Sequence, residues 1–361
     1  MSMRRTILAT SVAAALTGVA AMLAGPSLAK SPIPAPPWGA GDERGMANQI
    51  GPGTYARCVP HLANPKARTY EVSQVRSGTM PMSPFAGNYT PKAKASSTIP
   101  GTGHLFNAET FNENVEPGQQ GTQFDALGHF AYFKTPWDGK GTPPVDSAIY
   151  YGGFTQKDVK PTPESPLLKL GMEKVPPIVT TAVLLDAKAL LGRGQMMKAG
   201  EVVTAADIEA MLKAQGLAKR GILPGDVVYI HTGWGDLWKD PDTDKTYYTK
   251  APGLSYGAAQ YLGKKRIVAV GLDTPFIDAV SEGMLAGKGA PAPDAPAGLP
   301  FSVHHHLLTQ LGIHHVENAK LDQMAKDRVW TSCTMILPLL EKGAAGSAIR
   351  PVSIGVPGSK R

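Results

Sequence analysis

The sequence predicts an α/β fold, a mixed β-sheet core with flanking helices, and three observations support it. Apolar runs at Ile178 to Leu185, Asp226 to Ile230 and Ile267 to Leu272 have the length of buried strands, and the last two follow Gly-containing turns. Between the first two runs, Thr204 and Asp207 make a variant capping box ahead of Ile208, Met211 and Leu212, and Gly216 stops the helix they open. Polar residues gather directly after these runs, at the strand ends where α/β proteins build their sites.

Taken in order, the chain begins with Arg4 and Arg5, a largely apolar run from Ile7 to Leu23, and the small residues Ser27-Leu28-Ala29, a pattern that fits a signal peptide cleaved before Lys30. The run is rich in Ala, Gly and Thr, which favours removal over retention as a membrane anchor. The expectation is a periplasmic or secreted protein without residues 1–29 and with no stable membrane span. Ser31 to Pro37 is a Pro-rich leader, and the N-terminal third of the domain over residues 30–342 reads as a loop-rich extension wrapped on the α/β core. A second helix is expected near Ser255 to Leu262. Ala286 to Gly298 is a low-complexity insert whose composition favours disorder, although its place ahead of a histidine cluster would also suit a lid. Ser302 caps a short helix with Leu307, Leu308 and Leu311 on its core face; Gly312 ends it and Ile313 to Glu317 returns as a strand. Residues 343–361 read as a loosely attached tail.

With 361 residues, 42% hydrophobic and 18% charged, the chain can build a sizeable core without staples. Its net charge of +7 becomes +5 once Arg4 and Arg5 leave with the signal. No Lys/Arg block interleaves with aromatics, so a nucleic-acid surface is not expected, and the mild positive balance suits a small anionic substrate. Cys58 and Cys333 could pair in an oxidising compartment, but Trp330 and the apolar Met335 to Leu340 make Cys333 read as a buried small hydrophobe.

The densest polar segment is Gly118 to Phe130. In an extended strand Gln119, Gln123 and Asp125 share one face, and His129 follows Asp125 by four residues. That spacing suits a metal site as well as a polar strand end. The second cluster, His304 to Asn318, holds five histidines. A helix from His305 to Gly312 climbs roughly 10 Å and a strand back to Glu317 covers roughly 16 Å, which leaves His305 and Glu317 within several ångströms along the common axis. Between the clusters, His231 and Trp234 either pack a turn or line a pocket, and Asp273 reads as a side-chain cap.

In this order, GTQFDALGH, HTGW, GLDTPFID and the HxLLxxxGIxxxE frame of His305 and Glu317 resemble the metal-dependent cyclase family, which includes bacterial kynurenine formamidase and isatin hydrolase. WGAGDERGMAN (Trp38 to Asn48) resembles the opening segment of its longer members. The resemblance spans nearly the whole chain after the signal. It implies a swivelling β/β/α catalytic domain, a homodimer or homotetramer, and hydrolysis of a small cyclic or N-formyl amide with a divalent metal ion. Family members carry HxGTHxDxxxH, whose first two histidines and aspartate bind Zn or Mn; the last histidine acts near the metal, and a later His and Glu complete the site. Asp125, His129, His305 and Glu317 match that pattern, while Gln119 and Gln123 stand where the two ligand histidines would be. The resemblance thus implies Asp125, His305, Glu317, Gln123 and Gln119 as metal ligands and His129 as general base; Phe124 and Trp234, with His231, either wall a substrate pocket or pack as core and turn. An amide oxygen is a weaker, neutral donor than imidazole, so losing two nitrogens implies weaker Zn binding and a drift toward Mn, Mg or Ca. The alternative is an exported binding protein that keeps the pocket without the chemistry.

Overall fold

The computed structural model describes residues 33–111 and 117–358, so the expected signal peptide lies outside the described residues. One sheet of nine strands organises the chain: β1 (Arg68–Glu71), β2 (Gln123–Asp125), β3 (Ile178–Asp186), β4 (Val227–His231), β5 (Ala269–Leu272), β6 (His314–Glu317), β7 (Thr331–Ile336), β8 (Gly346–Ala348) and β9 (Val352–Gly355). Their spatial order is β1-β9-β7-β3-β4-β5-β6-β2-β8. The central four, β3 to β6, are parallel. The strands on either side join antiparallel, which makes the sheet mixed, as the sequence predicts.

The parallel strands β3, β4 and β5 are largely apolar on both faces because both faces are covered. On one side Val183, Leu185, Val228, Ile230, Val270 and Leu272 meet Ile208, Met211, Leu212, Ala258, Ala259 and Leu262 from the helices. On the other, Ala182, Leu184, Tyr229, Ala269, Val316 and Phe124 pack with Tyr70 and Met324. The helix α1 spans Pro52–Leu62, α2 spans Ala205–Ala214 and α3 spans Tyr256–Lys265. The expected box starts α2: Thr204 Oγ1 accepts from the Asp207 amide at 3.2 Å, and Asp207 Oδ2 accepts from the Thr204 amide at 2.9 Å. Ser255 caps α3 by accepting from the Ala258 amide at 3.0 Å. No helix among the described residues is long and apolar enough to cross a membrane.

Four expectations are corrected. Of the expected tail, residues 343–358 are not loose, since β8 pairs with β2 and β9 lies between β1 and β7. Their small residues misled, because Gly346 is small for contact: a Cβ there would lie 2.5 Å from Gln119 Nε2 and 3.0 Å from the Gly118 carbonyl oxygen. The insert is seated rather than disordered, with Asp294 accepting from the Tyr256 and Gly257 amides at the start of α3 at 3.1 and 2.8 Å. Cys333 is buried as expected but is not merely a small hydrophobe: it pairs with Cys58 across 275 residues of sequence, tying α1 to β7. The helix before β6 is a π turn over His304–Gln310, whose i→i+5 bonding turns its side chains away from α-helical spacing.

Candidate metal centre

Strand alternation builds the floor of the site. Antiparallel pairing sets Glu317 opposite Gln123 and Val316 opposite Phe124. Gln123 and Asp125 therefore share a face with His315 and Glu317, and Phe124 must point to the other side. The extended run is shorter than expected, because Gly121 turns the chain with φ +81° and Gln119 ends a 3₁₀ turn ahead of β2. Gln119 still folds back to the same place: Gln123 Nε2 donates to Gln119 Oε1 at 2.7 Å and to Glu317 Oε2 at 2.9 Å.

Asp278, after β5, anchors the opposite wall. Its Oδ1 accepts from the Val303 amide at 2.7 Å, and its Oδ2 accepts from the His304 amide at 3.1 Å. It caps the π turn in place of Ser302, the expected cap. Asp278 Oδ2 also holds His304 Nδ1 at 2.6 Å, which leaves His304 Nε2 at 3.4 Å from Glu317 Oε1 and 3.8 Å from Asp125 Oδ2. His315 Nδ1 lies 3.8 Å from the same Asp125 oxygen. The His304 and His315 rings are 4.6 Å apart and nearly perpendicular.

Both Asp125 oxygens and both His315 nitrogens are buried without a hydrogen-bond partner. An uncompensated buried carboxylate costs several kcal/mol, so such a group calls for a cation. One ligand atom from each of Asp125, His304 and His315 fits within 4.8 Å of the others. Tetrahedral N/O ligands at about 2.0–2.2 Å from an ion lie roughly 3.3–3.6 Å apart, close to the 3.8 Å that separates Asp125 Oδ2 from each imidazole. These residues fit a divalent ion.

The electrostatics treat the two imidazoles differently. Burial, reinforced by repulsion from His304, His314 and His129, holds His315 well below the usual histidine range, so its ring is neutral with a free lone pair. Burial also works to lower His304, but the Asp278 and Glu317 hydrogen bonds outweigh it and raise the imidazole well above its ordinary value. Burial lifts the Glu317 carboxyl to about 7 against the pull of His304, and the charge of Asp125 adds to the rise.

Above this floor lies a cavity of about 220 Å³ walled by Phe85, Phe130, Tyr248, Phe276 and Phe301, with His129 among its polar lining. The site thus gathers Gln119, Gln123, Asp125, His129 and Glu317. It does not gather His305, whose ring packs edge-on against Tyr132 at 4.7 Å; the π turn presents His304 instead. Phe124 is fully buried on the far face and stacks on His314 at 4.8 Å. Trp234 packs with Tyr247, Tyr248 and Ala251, and it is Tyr248 that reaches the cavity. His231 bonds Asp186 at 3.0 Å and lines a different cleft. Asp273 is a cap, though of the turn after β4, accepting from the Thr232 and Gly233 amides. Sequence reasoning missed His304, His315 and Asp278. The position of His315 two residues before Glu317 on a strand was a readable signal; the π turn left none.

No curated protein sequence matches this chain. A crystal structure described as a novel cyclase is similar over 88% of this chain and 95% of its own, at 23% identity and TM-score 0.68. Isatin hydrolase A from Ralstonia solanacearum is similar over 85% of this chain and 98% of its own, at 19% identity and TM-score 0.51. An isatin hydrolase bound to the product analogue thioisatinate is similar over 86% and 100%, at 17% identity and TM-score 0.53. These likenesses establish the fold. The cyclase family model matches residues 58–279, more than half of the sequence, with Asp125, His129 and Asp278 inside the match, and the chain therefore belongs to the cyclase family.

Proposed function

We propose that this protein is an exported metal-dependent hydrolase that opens a small cyclic amide or cleaves an N-formyl amide borne on an aromatic ring. The observation that carries the reading is the set of partnerless donors on Asp125 and His315, beside His304, at the floor of an aromatic-walled cavity. The isatin hydrolases among its structural neighbours support the substrate class. Export is supported by the signal-like N-terminus and by the Cys58–Cys333 bond, since disulfides persist in oxidising compartments.

Asp125, His304 and the neighbouring donors would hold a divalent ion, which would supply Lewis-acid polarisation of the scissile carbonyl and a lowered pKa for water. The chain does the rest. Phe130, Phe276 and Phe301 hold a planar ring and exclude bulk water, which strengthens every charge interaction inside. A ring nitrogen of His129, within the same lining, takes the proton of the attacking water and returns it to the departing nitrogen. Asp278 fixes His304 with its proton on Nδ1 and its Nε2 toward the acids.

The test is His129→Ala. Turnover of formyl-aryl amides and isatin-type rings falls by about 10²–10⁴-fold, the usual worth of a general base, while metal content holds. Retained turnover would place the base elsewhere. Binding of aromatic carboxylates that raises the melting temperature, with no turnover under any metal, would make the chain a binding protein instead.

A further inference from the structure

We infer that His315 is a metal ligand that replaces the imidazoles missing from β2, so that one ion per chain sits on Asp125, His304 and His315, while Gln119 and Gln123 act outside the coordination sphere by orienting Glu317. This inference rests on the metal-dependent reading of the same site.

The glutamines bond to each other and to Glu317. Gln123 presents its NH₂ group to Glu317 Oε2, and that group also serves Gln119 Oε1. The result is an amide chain that ends on a carboxylate and steers it.

His315 has the opposite character. Its neighbour His314 shows how this strand treats a structural histidine: Nδ1 bonds the Asp125 carbonyl at 3.0 Å and the ring stacks on Phe124. His315 points to the other face, is fully buried, and leaves both nitrogens without a partner beside the equally partnerless Asp125. Packing alone gives no reason to bury an imidazole so. Coordination does.

Two consequences follow. The nitrogen count is two, from His304 and His315, so the site keeps the affinity of imidazole for Zn and does not drift to Mg or Ca as the glutamines alone imply. Among the described residues Asp125, His304 and His315 form the one group of three such donors, so one ion per chain is expected.

The experiment uses the full chain stripped with a chelator and titrated with Zn against a chromophoric competitor. The wild type takes up one equivalent. His315→Asn loses at least about 100-fold in Zn affinity, more than the loss typical of an outer-sphere change. The Gln119→Ala, Gln123→Ala double variant stays within about threefold of wild type, because neither amide binds the ion. Zn binding by His315→Asn within threefold of wild type, or a 100-fold loss in the double variant, overturns the inference. Because position 315 is buried, X-ray absorption at the Zn edge of the wild type provides a check that needs no variant: two imidazoles in the scattering shell agree with it, and one or none overturns it. Zn binding with this signature but without hydrolysis would fell the hydrolase reading and leave the inference standing. Metal-dependent hydrolysis that is indifferent to position 315 would do the reverse.

Discussion

Replacing Asp278 by Asn changes one atom and separates two roles that the carboxylate combines. In the folded protein it accepts three hydrogen bonds, from the Val303 amide at 2.7 Å, the His304 amide at 3.1 Å and His304 Nδ1 at 2.6 Å. An asparagine has one accepting oxygen. If it keeps the two bonds to His304, its NH₂ group faces the Val303 N–H; if it keeps Val303, both His304 donors are stranded. At least one buried donor is lost, a cost of about 1–3 kcal/mol. The ring of His304 also loses its anionic partner, and removal of such a partner typically weakens metal binding by about 10–100-fold. Urea unfolding of the metal-free protein reads the first effect and Zn competition the second. Asp278→Asn is expected to lower both. A variant that loses stability yet binds Zn as tightly as wild type would make Asp278 a helix cap alone and refute its role in aiming His304.

Other outcomes follow from the same geometry. Phe85 lines the cavity although it is 65% exposed; Phe85→Ala should raise KM for aromatic substrates by about 2–10-fold, the worth of one ring contact, with kcat little changed in steady-state assays. Gln120 is fully buried and holds that loop, accepting from the Ser83 amide at 3.0 Å and donating to the Ser83 and Gly87 carbonyls. Gln120→Ala should therefore cost about 1–3 kcal/mol and raise KM as Phe85→Ala does. Reducing Cys58–Cys333 should destabilise the fold by about 2–5 kcal/mol, read as a lower urea midpoint in dithiothreitol. Burial works to lower the His231 pKa, but the hydrogen bond to Asp186 and the charge of Asp273 outweigh it and Lys188, for a net rise. The stabilisation is then full below the ordinary histidine pKa and fades as pH rises through the raised one. His231→Gln should flatten the decline of stability between about pH 6.5 and 8, and an unchanged slope would mean the imidazolium adds nothing.

Much of this was legible because the relevant physics is local. The apolar runs of β3, β4 and β5, the Thr204 box and the Ser255 cap are set by near neighbours in the chain. The shared face of Gln123 and Asp125 was legible for the same reason, and so was the opposite aim of Phe124, had the alternation been carried through. What was hidden depends on topology. Cys58 meets Cys333 only because α1 lies against β7, and the Gly-rich end of the chain is strand only because β2 and β7 offer it edges. The choice of His304 over His305 is set by a π turn capped from β5, which no α-helical spacing encodes. The glutamines pointed to a weakened metal site because the compensating imidazole comes from another strand.

The central claim is that a metal ion at Asp125, His304 and His315 is required for hydrolysis. The most direct measurement strips the protein with a chelator and follows the opening of an isatin-type ring as Zn or Mn is returned. Turnover should be absent in the stripped protein and rise in proportion to bound metal until one equivalent per chain. Turnover that persists undiminished after complete removal of metal would contradict the account.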